Sequence, residues 1–107
     1  GARLDVLRRS GVLVLGSGNA VHNLRAIDWQ RPDGAFDWTR RMDDAVRDTM
    51  THAPDRAAAL MTHADYAQAH PTDEHFLPLL YIAGLAAHGR RGADVLVEGH
   101  AYGSLSM

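Results

Sequence analysis

The fold is predicted mainly from the stretch Val12–His22, which reads VLVLGSGNAVH. Its first four residues are all apolar, which is typical of a strand buried on both faces, as in a parallel sheet covered by helices. The small residues 16–19 that follow favour a tight turn at the carboxyl end of that strand. Because open α/β sheets bind ligands at this edge, the pattern places His22 where chemistry is expected.

The segments around this stretch predict helices and further strands. Ala2–Arg9 has the spacing of an amphipathic helix with Leu4 and Leu7 facing inward, and Ser10-Gly11 is expected to end it. Further helices are predicted over residues 36–51 and 55–61, a polar loop over 62–71, and strands over 93–97 and 104–107. The fold class is therefore mixed α/β, the C-terminal part of a sheet-centred domain with flanking helices.

One more helix is predicted after Thr72, which has the residue type of an N-cap. Its apolar residues are spread around nearly the whole circumference of the helix, so we expect the helix to be largely buried. Pro78 leaves two alternatives open: the regular helix begins a few residues after Thr72, or it kinks at the proline.

Composition limits the possible functions. A chain of 107 residues holds at most one small domain, and its net charge of -2 gives no support for a nucleic-acid partner. No apolar run is long enough to span a bilayer, so no membrane partner is expected. The absence of cysteine excludes disulfides, thiolate metal sites and cysteine nucleophiles, and it favours a cytoplasmic location.

Histidine is the one unusual residue type, with seven copies spread along the chain. His22 emerges from the glycine-rich turn, where an imidazole could exchange protons near neutral pH, or simply hydrogen-bond to backbone. His75 near the start of a buried helix has the rigidity of a metal ligand, or the ordinary hydrogen bonds of a helix start. His63 and His70 lie in the predicted loop and are candidates for lining a pocket.

Three segments resemble motifs of a known family: Val14–Arg25 (VLGSGNAVHNLR), His70–Leu80 (HPTDEHFLPLL) and Glu98–Met107 (EGHAYGSLSM). Their order and separation are similar to those of the class III extradiol ring-cleavage dioxygenases, the LigB-like superfamily, in its branch that resembles DOPA-4,5-dioxygenase. The resemblance covers essentially the whole chain.

The resemblance implies an oxidoreductase that cleaves a catechol-type aromatic ring with dioxygen at one mononuclear metal site. Iron(II) is the expected ion, and zinc(II) is a possible one. By the same resemblance His22 is the acid/base histidine and His75 is a metal ligand. Asn23, His70 and Ser17 are expected to belong to the substrate pocket.

The resemblance also implies that residues 1–107 are the C-terminal portion of the catalytic domain and that the N-terminal portion is absent. In the family, that portion carries the other two metal-binding histidines. We therefore expect a chain that is inactive alone, with the missing portion or other copies of itself as partners. The alternative function is a split-subunit or structural module that retains the fold without turnover.

Overall fold

The computed structural model describes residues 1–107, apart from the side chain of Ala2. Within the described residues there are four α-helices and three short strands, and the mixed α/β class is confirmed. In chain order they are α1 (Ala2–Arg9), β1 (Val21–His22), α2 (Asp37–His52), α3 (Tyr66–Ala69), α4 (Leu77–His88), β2 (His100–Ala101) and β3 (Leu105–Ser106). Short 3₁₀ helices cover Leu24–Ala26, Pro54–Thr62 and Asp73–His75.

The sheet is antiparallel, with the strand order β1-β3-β2. Val21 of β1 and His100 of β2 both pair with Ser106 of β3. The strand predicted at the end of the chain is confirmed in β3, whereas the sequence patterns did not predict β2. The last ten residues thus fold back on β1 and hold it in place.

The predicted parallel sheet is wrong for this chain. Residues 12–15 and 93–97 form no strand among the described residues, and Leu13 is 79% exposed. A strand needs a neighbour to satisfy its backbone N–H and C=O groups, and an apolar run does not by itself provide one.

Helix α1 has the predicted bounds, and Gly11 follows it with a φ of 82°, a conformation that glycine adopts without strain. Its predicted inward face is wrong at Leu7, which is 44% exposed, whereas Leu4 is half-buried and Asp5 is buried. The Asp5 carboxylate lies 3.2 Å from each of the guanidinium groups of Arg8 and Arg9, one turn further along the helix. The carboxylate is therefore buried with paired charges.

The core lies mainly among α2, the 3₁₀ helix Pro54–Thr62, α3 and α4, and β1 contributes Val21 to it. Met42, Val46 and Met50 follow one another at four-residue spacing on one face of α2, and all three are buried. They belong to the same apolar cluster as Val21 of β1 and Phe76, which are both fully buried. Val21 precedes His22 and Phe76 follows His75, so the cluster fixes the chain next to both histidines.

The segment before α4 differs from the prediction in detail. The expected loop over 62–71 contains helix α3, and the Thr72 hydroxyl does not cap a helix but donates to the Glu74 carboxylate at 2.7 Å. Helix α4 begins at Leu77 with Pro78 in its first turn, so the later start is confirmed. Tyr81 is 61% exposed, which shows that α4 is not buried all round. No helix of the described chain is both long enough and apolar enough to cross a membrane.

Candidate functional site

Strand β1 presents His22, and buried hydrogen bonds fix the backbone immediately after it. The Asn23 N–H donates to the Ser104 carbonyl at 3.2 Å, and the Ser104 hydroxyl donates to the Asn23 carbonyl at 2.7 Å. The Asn23 side chain donates to the Gln68 carbonyl at 2.7 Å and accepts from the Arg25 N–H at 3.0 Å. The nitrogen and the oxygen of the buried Asn23 side chain are thus both hydrogen-bonded to backbone groups.

His75 ends the 3₁₀ helix Asp73–His75 and is held against the glycine-rich segment. The Asn19 N–H donates to the His75 carbonyl at 3.1 Å. Gly18 packs so closely on the same carbonyl that a Cβ there would overlap its oxygen. The segment was predicted as a turn open to a ligand. Instead, its small residues allow the chain to approach His75.

These contacts bring the rings of His22 and His75 together. The two imidazoles stack with centroids 3.5 Å apart and planes inclined by 14°. Burial, and then the neighbouring His75, lower the pKa of His22, whereas the Glu74 carboxylate opposes this shift. A half-buried imidazole with a lowered pKa is unprotonated at neutral pH, so it is able to accept a proton from a ligand.

His70 lies near both histidines and is only 3% exposed. Its Nε2 lies 2.8 Å from the Ala20 carbonyl, and since a carbonyl only accepts, Nε2 carries the proton. Nδ1 is then the unprotonated nitrogen; it is buried without a hydrogen-bond partner. Burial lowers the pKa of His70. This side chain holds the backbone two residues before His22.

The other predicted residues are more dispersed. Ser17 is exposed on the glycine-rich segment, and His63 follows the 3₁₀ helix Pro54–Thr62, where its Nδ1 accepts from the Asp65 N–H at 3.1 Å. Sequence reasoning missed Asn19 and Ser104, which join the elements of the site through their backbone and hydroxyl groups. Only their position inside the resembling motifs marked them.

The described side chains do not by themselves form a complete metal site. They contain no group of three or more His, Asp or Glu residues placed to hold one ion. His75 is able to offer one imidazole nitrogen, and His22 stacks directly against it. Zinc and iron sites in enzymes commonly use three protein ligands, so a complete site needs donors from elsewhere.

The comparisons with known proteins agree with the motifs, although no protein-family model matches the chain. The chain is similar to extradiol dioxygenases. It is 36% identical over 111 residues to 4,5-DOPA dioxygenase extradiol of Escherichia coli (strain K12), which covers all of this chain and 41% of the relative. This confirms the resemblance and is consistent with a C-terminal portion of a LigB-like extradiol dioxygenase.

A solved structure shows the same fold. The crystal structure of an uncharacterized protein from Escherichia coli K12 matches 98% of this chain with a TM-score of 0.86 at 33% identity. The match covers 44% of that protein's chain. The present chain thus spans less than half the length of both relatives.

Replacing Gly18 by alanine should separate the two histidine rings. The added Cβ overlaps the His75 carbonyl oxygen, so the backbone must move, at a cost of about 1–3 kcal/mol in the free energy of unfolding. Urea unfolding measures the loss, and nuclear Overhauser contacts between the His22 and His75 rings report their separation. The matched control is Gly99→Ala, because a Cβ at Gly99 meets no atom within 4 Å. Equal stability and equal ring contacts in both variants would contradict this role of Gly18.

The free energy of unfolding should fall in mild acid, in part because His70 becomes protonated. Because burial lowers the pKa of His70 in the folded state, the unfolded chain binds that proton more readily. The contribution of unprotonated His70 to the free energy of unfolding is fully present above the ordinary histidine pKa of about 6.5. It is lost as the pH falls below that value.

The variant His70→Gln keeps a donor for the Ala20 carbonyl but does not titrate. Its free energy of unfolding should therefore fall less between about pH 7 and about pH 5 than that of the unaltered protein, as measured by urea unfolding. His52→Gln, at an exposed side chain, is the control. The same slope in His70→Gln and the unaltered protein would show that protonation of His70 is not linked to folding.

Proposed function

We propose that residues 1–107 form the part of an extradiol dioxygenase active site that moves protons and supplies one metal ligand. The whole site would cleave a catechol-type ring with dioxygen. The observation that carries the proposal is the stacking of His22 on His75. The two residues that the motifs select lie far apart in sequence, yet their rings are in contact.

His22 is the proposed proton carrier. Burial and the neighbouring His75 keep it unprotonated at neutral pH, so a ring nitrogen is free to accept a proton from a catechol hydroxyl. The resulting imidazolium is half-buried beside a second imidazole, which favours return of the proton to the oxygen of a product. The Glu74 carboxylate moderates this preference and keeps the protonated form accessible.

His75 is the proposed metal ligand of this chain. Its backbone is fixed by the Asn19 N–H, and the next residue, Phe76, is fully buried, so the imidazole is held with little freedom. Iron(II) is the expected ion and zinc(II) the alternative, since imidazole suits both. A bound iron(II) ion would supply coordination of the catechol oxygens and the redox chemistry with dioxygen.

Asn23, His70 and Ser17 remain the proposed residues of the substrate pocket. The contacts of Asn23 and His70 support an indirect role, because His70 bonds to the Ala20 carbonyl before His22 and Asn23 accepts from the Arg25 N–H after it. Ser17 is exposed and has a hydroxyl that is free to meet a ligand. The remaining metal ligands are proposed to come from the missing N-terminal portion or from other copies of the chain.

The activity is tested in a chimera in which these 107 residues replace the matching portion of the Escherichia coli relative. We expect the chimera, loaded with iron(II) in air, to convert DOPA to a yellow ring-opened product. His22→Ala and His75→Ala should each lower the rate at least about 100-fold, the scale expected when a general base or a ligand is removed. His52→Ala, at the exposed end of α2, should have little effect.

Unchanged product formation in either the His22 or the His75 variant would contradict that residue's role. An inactive chimera that keeps the fold, with the same ring stacking, would favour the alternative: a structural or split-subunit module without turnover.

Metal titration of the isolated chain separates a complete site from a partial one. Because no third donor adjoins His22 and His75 in the described structure, we expect weak binding without one-ion saturation in the micromolar range. Calorimetry with zinc(II) measures this binding. His75→Ala should abolish the weak binding, whereas His52→Ala should leave it unchanged. Tight binding of one ion would mean that a whole site exists within these residues.

A further inference from the structure

Three buried rings hold the segment 70–76, which carries His75. The ring centroid of Tyr66 lies 5.0 Å from that of His70 and 5.1 Å from that of Phe76, and the last two lie 4.9 Å apart. Tyr66 meets Phe76 edge to face, with the ring planes inclined by 83°, which is a favourable arrangement for aromatic rings. Because His70 and Phe76 are the two ends of the segment, the ring of Tyr66 fixes both ends.

The hydroxyl group of Tyr66 fixes the middle of the same segment. It donates to the Asp73 carboxylate at 2.8 Å, and Asp73 is the first residue of the 3₁₀ helix that ends at His75. Burial, and then the hydrogen bond to Asp73, raise the pKa of Tyr66 well above its ordinary value. The phenol therefore keeps its proton and remains the donor. Hydrogen bonds to a carboxylate are among the stronger ones, so this bond limits the movement of the 3₁₀ helix.

The contacts of Tyr66 also lead to His22. Its carbonyl accepts from the His70 N–H at 2.8 Å, and its ring packs against the His70 imidazole. The Nε2 of His70 in turn donates to the carbonyl of Ala20, two residues before His22, at 2.8 Å. Tyr66 is thus connected to one histidine of the stacked pair through Asp73 and to the other through His70.

We propose that Tyr66 is a positioning residue that sets the stacking of His22 on His75. Its hydroxyl acts through Asp73, and its ring acts through His70. Reacting groups must be held to within about 0.5 Å of their productive geometry, and side chains behind the site supply that accuracy. The positioning itself is a property of the folded chain, whereas its importance for turnover rests on the proposed function.

The variant Tyr66→Phe tests the hydroxyl group, because it keeps the ring and removes the donor. In the 107-residue chain, the nuclear Overhauser contacts between the His22 and His75 rings should weaken at least about twofold. These contacts fall with the sixth power of distance, so a displacement of about 0.5 Å is enough. Tyr81→Phe is the matched control, since it removes the hydroxyl from a tyrosine that is 61% exposed on α4.

Two variants of Asp73 separate positioning from a general loss of stability. Asp73→Asn keeps an oxygen that accepts from the Tyr66 hydroxyl and should retain the ring contacts, whereas Asp73→Ala should weaken them as Tyr66→Phe does. The double variant Tyr66→Phe/Asp73→Ala should weaken them no further, because both changes break one hydrogen bond. Asp73 is exposed, so the test stands even where Tyr66→Phe fails to fold.

A hydroxyl with only a structural role would lower the free energy of unfolding and leave the distance between the two rings unchanged. Ring contacts of full intensity in folded Tyr66→Phe, or in Asp73→Ala, would therefore overturn the proposal. Equal weakening in Asp73→Asn and Asp73→Ala would also overturn it, since the hydrogen bond would then not be the cause.

Turnover in the chimera with the Escherichia coli relative measures the consequence for the reaction. Tyr66→Phe should lower kcat about 10-fold, the scale expected for a residue behind the site, and should leave the KM for DOPA unchanged. Tyr81→Phe should change neither quantity. An inactive chimera in which Tyr66→Phe still weakens the ring contacts would contradict the proposed function and support the positioning by Tyr66.

Discussion

The structure of the site depends on the close contact between the Gly18-Asn19 backbone and the carbonyl of His75. The Asn19 amide bonds that carbonyl at 3.1 Å, and the lack of a side chain at Gly18 allows the approach. This contact ties the segment before β1 to the start of α4. Since His22 is the last residue of β1, the contact also sets the distance between the two imidazoles.

The surrounding hydrogen bonds make this arrangement rigid. Asn23 and His70, both buried, use their side chains on backbone groups rather than on one another. Ser104 links β1 to the end of the chain through its hydroxyl. Three buried side-chain atoms of the described residues have no hydrogen-bond partner: the Nδ1 of His70, the Nε2 of His100 and the Oγ of Ser106.

Local patterns predicted the helices well and the strands poorly. The four-residue spacing in α2 and the glycine after α1 are signals contained in a few neighbouring residues. The apolar run of residues 12–15 signals burial, but burial and pairing depend on a partner strand that the described residues do not supply. For the same reason the two-residue strand β2 exists only because it pairs with β3, and β3 because it pairs with β1 and β2.

The sequence by itself determined α1, α2 and α4, the mixed class and, through the resembling motifs, the choice of His22 and His75. By residue type alone, neither histidine was more than one candidate among seven. Only the tertiary structure decided that their rings stack, that Asn23 and His70 bond to backbone, and that Leu13 and Leu96 face outward. The reason is physical: helix formation and capping are local, whereas ring contact, strand pairing and burial depend on residues distant in the chain.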